Sequence, residues 1–404
     1  MDSRTITGLI AGAALALGTV PAAAAGFSDD EVKIGVLTDM TGPYSGFSGP
    51  GSVVAVKMAV EDFGATVAGK PVKVISADHL NKTDIGAGIA RKWYDRDGVD
   101  AVFDISNSAV ALAVMAVTKE KNRVVVLGGV STKKATTDSC TPNSVQYVYD
   151  VEAFPNVTGR ALIAQGYKSW YFVTTDFAFG HGLEKMTRMV VEAAGGKVLG
   201  SVMHPLNATD FSSYMLQAQS SGAQVIGLAT AGADTVNAIK TANEFGVSRK
   251  QTVATLMTFI SDVHSMGLDQ AQGTVLTAPF YWDLNDETRA WSKRFFDKTG
   301  KMPTMVHAGL YSGAMHYLKA IKAEGTDDTR AVMARMKATP VNDFFAHDGK
   351  IREDGLHVHD MYLFQVKKPE ESKYPWDYYK VLSRVPGSEA FAPMQPGACQ
   401  FTKP

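Results

Sequence analysis

The chain has 404 residues, 40 Lys and Arg against 41 Asp and Glu, and a formal net charge of -1. That length accommodates two or three lobes, and the near balance of charge, with no basic run or basic-aromatic stripe, excludes a nucleic-acid footprint. A hydrophobic content of 45% with 20% charged residues is that of a soluble globular protein.

Arg4 is followed by the uncharged run ITGLIAGAALALGTV and then PAAAAG, a short n-region, an h-region and a small-residue cleavage site. Residues 1–25 are therefore expected to be an export signal cut near Ala25. The h-region is too short for a membrane anchor, and no other window approaches eighteen apolar residues, so the mature protein should be soluble, not membrane-embedded, and periplasmic. The only two cysteines, Cys140 and Cys399, would meet an oxidising compartment and are expected to pair.

Residues 32–40, VKIGVLTDM, read as a strand, followed by a glycine-rich loop at 41–51 and a helix. The loop holds neither G-x-G-x-x-G in register nor G-K-[ST], so no nucleotide cofactor is expected. It carries Tyr44 and Phe47 instead, rings suited to wall an apolar ligand. VKVISAD is a second strand and DIGAGIARKWYDRDG a second helix. Two short apolar runs then follow, AVFDI and VVVLGG, separated by the helical segment AVALAVMAVTKEKN. The first run stops at Ser106-Asn107-Ser108 and the second at Gly128-Gly129-Val130-Ser131-Thr132. Apolar runs of this length fit buried parallel strands, and ligands of open parallel sheets sit beyond the carboxyl ends of such strands, where helix N-termini favour an anion. Ser106 and Thr132 are thus candidates to hold a small solute's carboxylate, against the plainer reading of caps and turn formers.

A second round of strands and helices begins at Lys168 and runs through SWYFVTTD, KVLGSVMHP and QVIGLAT. The two halves share a rhythm but no repeated sequence, which predicts an α/β protein of two Rossmann-like lobes with parallel sheets and a cleft between them. TVLTAPFYWDLND looks like a crossing segment, VHDMYLFQVKKP like a late strand, and the proline-rich chain beyond Pro369 like a surface tail.

VKIGVLTDMTGPYSGFSGPG, the SNS strand end, VLGGVST, TTDFAFGHG and DFSSYMLQAQSSGAQVIGL, in that order, resemble the periplasmic solute-binding proteins of ABC importers, of the branched-chain amino acid type. The resemblance implies the type I periplasmic binding protein fold with a three-segment hinge, an ABC permease as partner, a monomer, and no catalysis. It also implies the division 27–148 and 282–346 for the first lobe, 149–281 and 347–368 for the second, and a tail at 369–404. On the family's pattern the carboxylate would be held by Ser106 with Asn107 beside it, by Val130 backbone groups, and by Ser131 and Thr132, with Phe179 covering it from the second lobe. Amino-acid binders of this type place an acid in the second lobe for the ligand ammonium; here Phe259-Ile260 stands at the corresponding place, with Asp262 two residues beyond. Burying an ammonium unpaired is costly. Tyr44, Phe47, Phe179, Tyr281 and His307 suit a flat carboxylate better, and the resemblance is to the branch that binds aromatic acids such as benzoate or hydroxycinnamates.

Three alternatives stay open at this point. They are a branched-chain amino acid as ligand, a sensor domain of the same fold, and a metal-dependent enzyme. For the last, His357-x-His359-Asp360 lacks a third ligand at metal spacing and Gly180-His181-Gly182 looks like a helix start, so no metal is expected.

Overall fold

A computed structural model describes residues 26–402; the expected export signal at 1–25 lies outside the described residues. Fifteen strands, β1 to β15, organise it. β1 (Val32–Thr38), β2 (Thr66–Val67), β3 (Lys70–Asp78), β4 (Ala101–Asp104), β5 (Val124–Leu127) and β6 (Ser144–Gln146) form one sheet in the order β2-β3-β1-β4-β5-β6. All its pairings are parallel except that of the short β2 with β3. The all-apolar run of β5 follows from burial on both faces. Val124 and Val126 pack into the main core, whereas Val125 and Leu127 pack under the helices Thr83–Asp95 and Ser108–Glu120 with Trp93 and Val114.

The second parallel sheet, in the order β10-β9-β7-β8, comprises β7 (Ser169–Thr175), β8 (Lys197–His204), β9 (Val225–Ala229) and β10 (Thr252–Thr255). β11 (Val275–Ala278) leads back to helices Asp286–Thr299 and Met305–Glu324, which pack on helix Gly49–Phe63 of the first lobe. After the small hairpin of β12 (Lys350–Ile351) and β13 (His357–Val358), β14 (Met361–Val366) returns to pair antiparallel with β11. Of the connecting segments, residues 155–164 pack on helix Ala178–Ala193 of the second lobe, and the hairpin of β12 and β13 on helix Thr329–Ala338 of the first.

The expected surface tail is only partly one. Tyr379–Val385 forms β15, an edge strand antiparallel to β14. Five of its seven residues are exposed, so the apolar alternation that betrays a half-buried strand is missing. Beyond it, Cys399 is joined to Cys140 in the first lobe by a disulfide, as expected from the two cysteines. The histidines weighed as metal ligands tie crossings together instead. His357 Nδ1–H donates to the Tyr147 carbonyl (2.9 Å) and His359 Nε2–H to the Val148 carbonyl (3.0 Å), and both rings are buried.

Candidate ligand site between the strand ends

At the end of β4 the backbone is strained. Asp104 and Ile105 take φ values of 80° and 61°, a left-handed pair that includes a β-branched residue. What over-determines this turn is the fully buried Asp104 carboxylate. It accepts a hydrogen bond from the Ser48 hydroxyl, whose oxygen also meets the Thr38 (2.9 Å) and Ser52 (3.4 Å) hydroxyls, and the Asp104 carbonyl accepts the Gly128 N–H (3.0 Å), while burial pushes the carboxyl's pKa up. The network fastens together four segments: β1, the start of helix Gly49–Phe63, and the ends of β4 and β5. Gly129 completes it by close approach, since a Cβ there would stand 2.9 Å from the Ser106 Cα.

Ser106 emerges from this turn with its hydroxyl oxygen already engaged. The Asp39 N–H donates to it at 3.3 Å. His79 accepts the Asn81 N–H at Nδ1 (3.0 Å), and burial holds its pKa down at about 4, so it is a neutral imidazole protonated at Nε2. That Nε2–H lies 3.4 Å from the Ser106 oxygen. With two N–H groups directed at its lone pairs, the Ser106 hydroxyl keeps its own hydrogen to donate.

Ser106 lines a cavity between the lobes that is nearly filled in this form, about 10 Å³. Tyr44, Phe47, Ser108 and Gly129 complete the first-lobe wall; Phe177, Phe179, Ala231 and Met257 form the second. Ser108 is the first residue of helix Ser108–Glu120, so the positive end of that helix adjoins the cavity. Across the cleft, Phe47 stacks on Phe259 with ring centroids 4.0 Å apart and planes at 7°. The left-handed Gly232 (φ 60°) lets the Pro43 carbonyl approach where a Cβ would be 2.5 Å away, and the Ala233 N–H donates to that carbonyl at 3.4 Å. The described form is closed.

Among the residues picked from sequence, Tyr44, Phe47, Ser106 and Phe179 lie on the cavity wall and the others do not. Asn107 is the cap of helix Ser108–Glu120, its side chain accepting the Ala109 and Val110 N–H groups. The Val130 side chain packs into the core behind β5 and its carbonyl accepts from Gln146 Nε2 (3.1 Å). Ser131 and Thr132 are buried, Thr132 beginning the turn Lys133–Thr136; the wall at this strand end is Gly129. Tyr281 and His307 stand away from this cavity wall. Tyr281 packs against Phe364 and Tyr379 and donates its hydroxyl to the Trp376 carbonyl (3.2 Å), so it belongs to the hinge core. His307 donates from Nε2 to the Ser48 carbonyl (2.9 Å) and braces the 41–51 loop from behind.

Sequence reasoning missed Phe177, although it stands two residues before Phe179 at a strand end, and it missed the acid Asp234. In the first turn of helix Ala233–Glu244, Asp234 accepts the Asn207 N–H (3.1 Å), and its other oxygen is buried with no partner among the described residues. Burial pushes its pKa up to about 6, and burial followed by the Asp234 and Asp39 charges raises the Tyr44 phenol.

Asp262, the acid that sequence reading considered for an ammonium, points into its own helix. Its carboxylate accepts the Phe259 N–H (2.9 Å), and burial pushes its pKa up to about 7. Because the folded value exceeds the unfolded one, Asp262 contributes stability that is complete below pH 3.8 and lost as pH rises through about 7. Asp262→Asn keeps an acceptor for that N–H and carries no charge. Its melting temperature should therefore fall less than the native protein's between about pH 5 and 8; parallel melting curves across that range would overturn this account.

Comparison with known proteins accords with this architecture. Residues 31–373 match the model of a periplasmic binding protein family. The chain belongs to that family. A periplasmic binding protein from Burkholderia mallei is 51% identical and superposes with a TM-score of 0.91 over 93% of this chain and 100% of that one. A branched chain amino acid ABC transporter periplasmic ligand-binding protein from Burkholderia xenovorans LB400 is 40% identical, with a TM-score of 0.83 over 92% of this chain and 100% of that one. A solute binding protein of an ABC transporter from Rhodopseudomonas palustris BisB5, solved with 3,4-dihydroxy benzoic acid, is 20% identical with a TM-score of 0.81 over 89% of this chain and 98% of that one, a likeness of fold. This periplasmic binding protein is a substrate-binding component of the ABC-transporter type and not an enzyme. No helix among its described residues is long and apolar enough to cross a membrane.

Proposed function

We propose that this periplasmic binding protein captures a small monocarboxylate, an aromatic acid of the benzoate class, by closing its lobes, and delivers it to an ABC permease. The observation that carries the reading is the Ser106 hydroxyl, its oxygen approached by the Asp39 and His79 N–H groups and its hydrogen left for an acceptor in the cavity. Beside it is the start of helix Ser108–Glu120, and such convergent donors hold a carboxylate without a cationic side chain. The remaining wall is largely aromatic, which suits a flat ring. Neither acid nor base lines the cavity, which favours a ligand with no ammonium group.

A branched-chain amino acid is the second reading, favoured by the unpartnered buried oxygen of Asp234. A thermal-shift screen of protein stripped by unfolding and refolding separates the two. Ligand at 100 times its dissociation constant stabilises by about 2.7 kcal/mol. A shift with benzoate and none with leucine is expected, and Ser106→Ala should weaken benzoate binding by about 1 to 3 kcal/mol. A shift with leucine that Asp234→Asn abolishes would replace this reading with the second. Stabilisation by short aliphatic acids alone would keep the carboxylate and remove the ring.

A further inference from the structure

The 41–51 loop walls a second and larger cavity, of about 390 Å³, to which both lobes also contribute. Its apolar side includes Met40 and Phe295 from the first lobe and Trp376 from the segment before β15; its polar side includes Lys298, Lys301 and Ser261. Ser261 belongs to helix Ile260–Met266 of the second lobe, and its hydroxyl is buried with no partner among the described residues. Lys298 is paired with Glu61 at 3.1 Å, but Lys301 has no carboxylate partner among the described residues. The two nearby imidazoles add no positive charge to it. His307 in one lobe and His264 in the other are both held in the neutral form, first by burial and further by the Lys301 ammonium. Trp376 is fixed in place: its backbone is left-handed at φ 68°, its ring stacks on His264 at 3.8 Å, and its carbonyl accepts from Tyr281 and Trp282. Strain of this kind in a non-glycine residue persists only where the surroundings over-determine it, and it gathers at ligand sites.

We propose that this cavity is a second solute site, taking an organic monocarboxylate whose apolar body lies against Trp376 and Phe295 and whose carboxylate meets Lys301 and the Ser261 hydroxyl. An exposed ammonium without a carboxylate partner, a buried hydroxyl without an acceptor and a fixed indole together suit an anion with an apolar body. Because Lys301 and Ser261 belong to opposite lobes, the occupant bridges them and favours closure. By linkage, it tightens binding at the Ser106 site by the same factor that ligand at the Ser106 site tightens its own. The site rests on its own residues and stands whether or not the cargo of the Ser106 cavity is aromatic.

The test is equilibrium dialysis of radiolabelled benzoate against the exported protein, with tryptophan fluorescence read in parallel. Of the five tryptophans, Trp376 alone lines either cavity. Two equivalents are expected. Lys301→Met should weaken one of them by about tenfold or more and remove the fluorescence change, and raised salt should weaken that same equivalent. Ser106→Ala should weaken chiefly the other, and the Lys301-sensitive one by no more than the coupling factor. A single equivalent that Lys301→Met removes and Ser106→Ala spares would uphold this site and overturn the aromatic reading of the first. A single equivalent sensitive to Ser106→Ala and indifferent to Lys301→Met, or no binding at all, would overturn the second site.

Discussion

Reduction of the Cys140–Cys399 bridge, or its replacement by two serines, is expected to lower the melting temperature while leaving the choice of ligand unchanged. The bridge spans a sequence separation of 259 residues. Cross-linking residues that far apart removes loop-closure freedom from the unfolded chain equivalent to about 5 kcal/mol. For a chain of this length that corresponds to about 6 °C. The folded segment is prepared for the link by other contacts. The Gly387 N–H donates to Asp360 (3.1 Å), Asn156 to the Ala390 carbonyl (3.0 Å) and Arg352 to the Ala392 carbonyl (2.7 Å), and past the bridge the Phe401 ring lies under the Lys119 ammonium at 4.8 Å. The end of the chain is thus laid along the hinge before it is fastened to the first lobe. Differential scanning calorimetry of native, reduced and Cys140→Ser/Cys399→Ser protein checks this. A melting temperature unchanged within about 1 °C would mean that these contacts hold the tail without the covalent link.

Asp104→Ala is expected to be the most damaging single substitution near the site. It would strand the Ser48 hydroxyl, and loosen its links to Thr38 and Ser52, in a fully buried position where an unsatisfied group costs about 1 to 3 kcal/mol. It would also release the left-handed turn that presents Ser106. Asp104→Asn preserves an acceptor and should recover most of the stability, since the acid already sits where burial disfavours its charge. Urea unfolding gives the stabilities and calorimetric titration with benzoate the affinities. Alanine and asparagine variants with equal stability and affinity would show that the network does not shape the strand end.

The sheets were legible because parallel strands buried on both faces are written as unbroken apolar runs, as in Val124–Leu127. β15 was not, because an exposed edge strand leaves no apolar stripe. Of the cavity wall, Ser106 was legible as a hydroxyl at a strand end, and Tyr44, Phe47 and Phe179 as rings on loops facing that end. Aromatic character alone could not separate them from Tyr281 and His307, since a ring packed in a hinge core and a ring packed against a solute are the same residue in sequence. Asp104 read as the end of an apolar run, and nothing in AVFDI announces two left-handed residues. Asp234 stands in a helix's first turn, a place acids occupy for the helix dipole alone, so nothing in the sequence sets it apart.

The stack of Phe47 on Phe259 joins the lobes by a contact that involves no solute. Such a ring pair adds about 0.5 to 1.5 kcal/mol beyond its buried area, enough to shift a two-state balance by roughly two- to tenfold toward closure. An import machine that responds to the closed shape would then carry an idling rate, fixed by how often the empty protein shuts on its own two rings. The same contact lowers the affinity a solute needs to complete closure, so sensitivity to scarce cargo and silence in its absence are set against each other at one pair of phenylalanines.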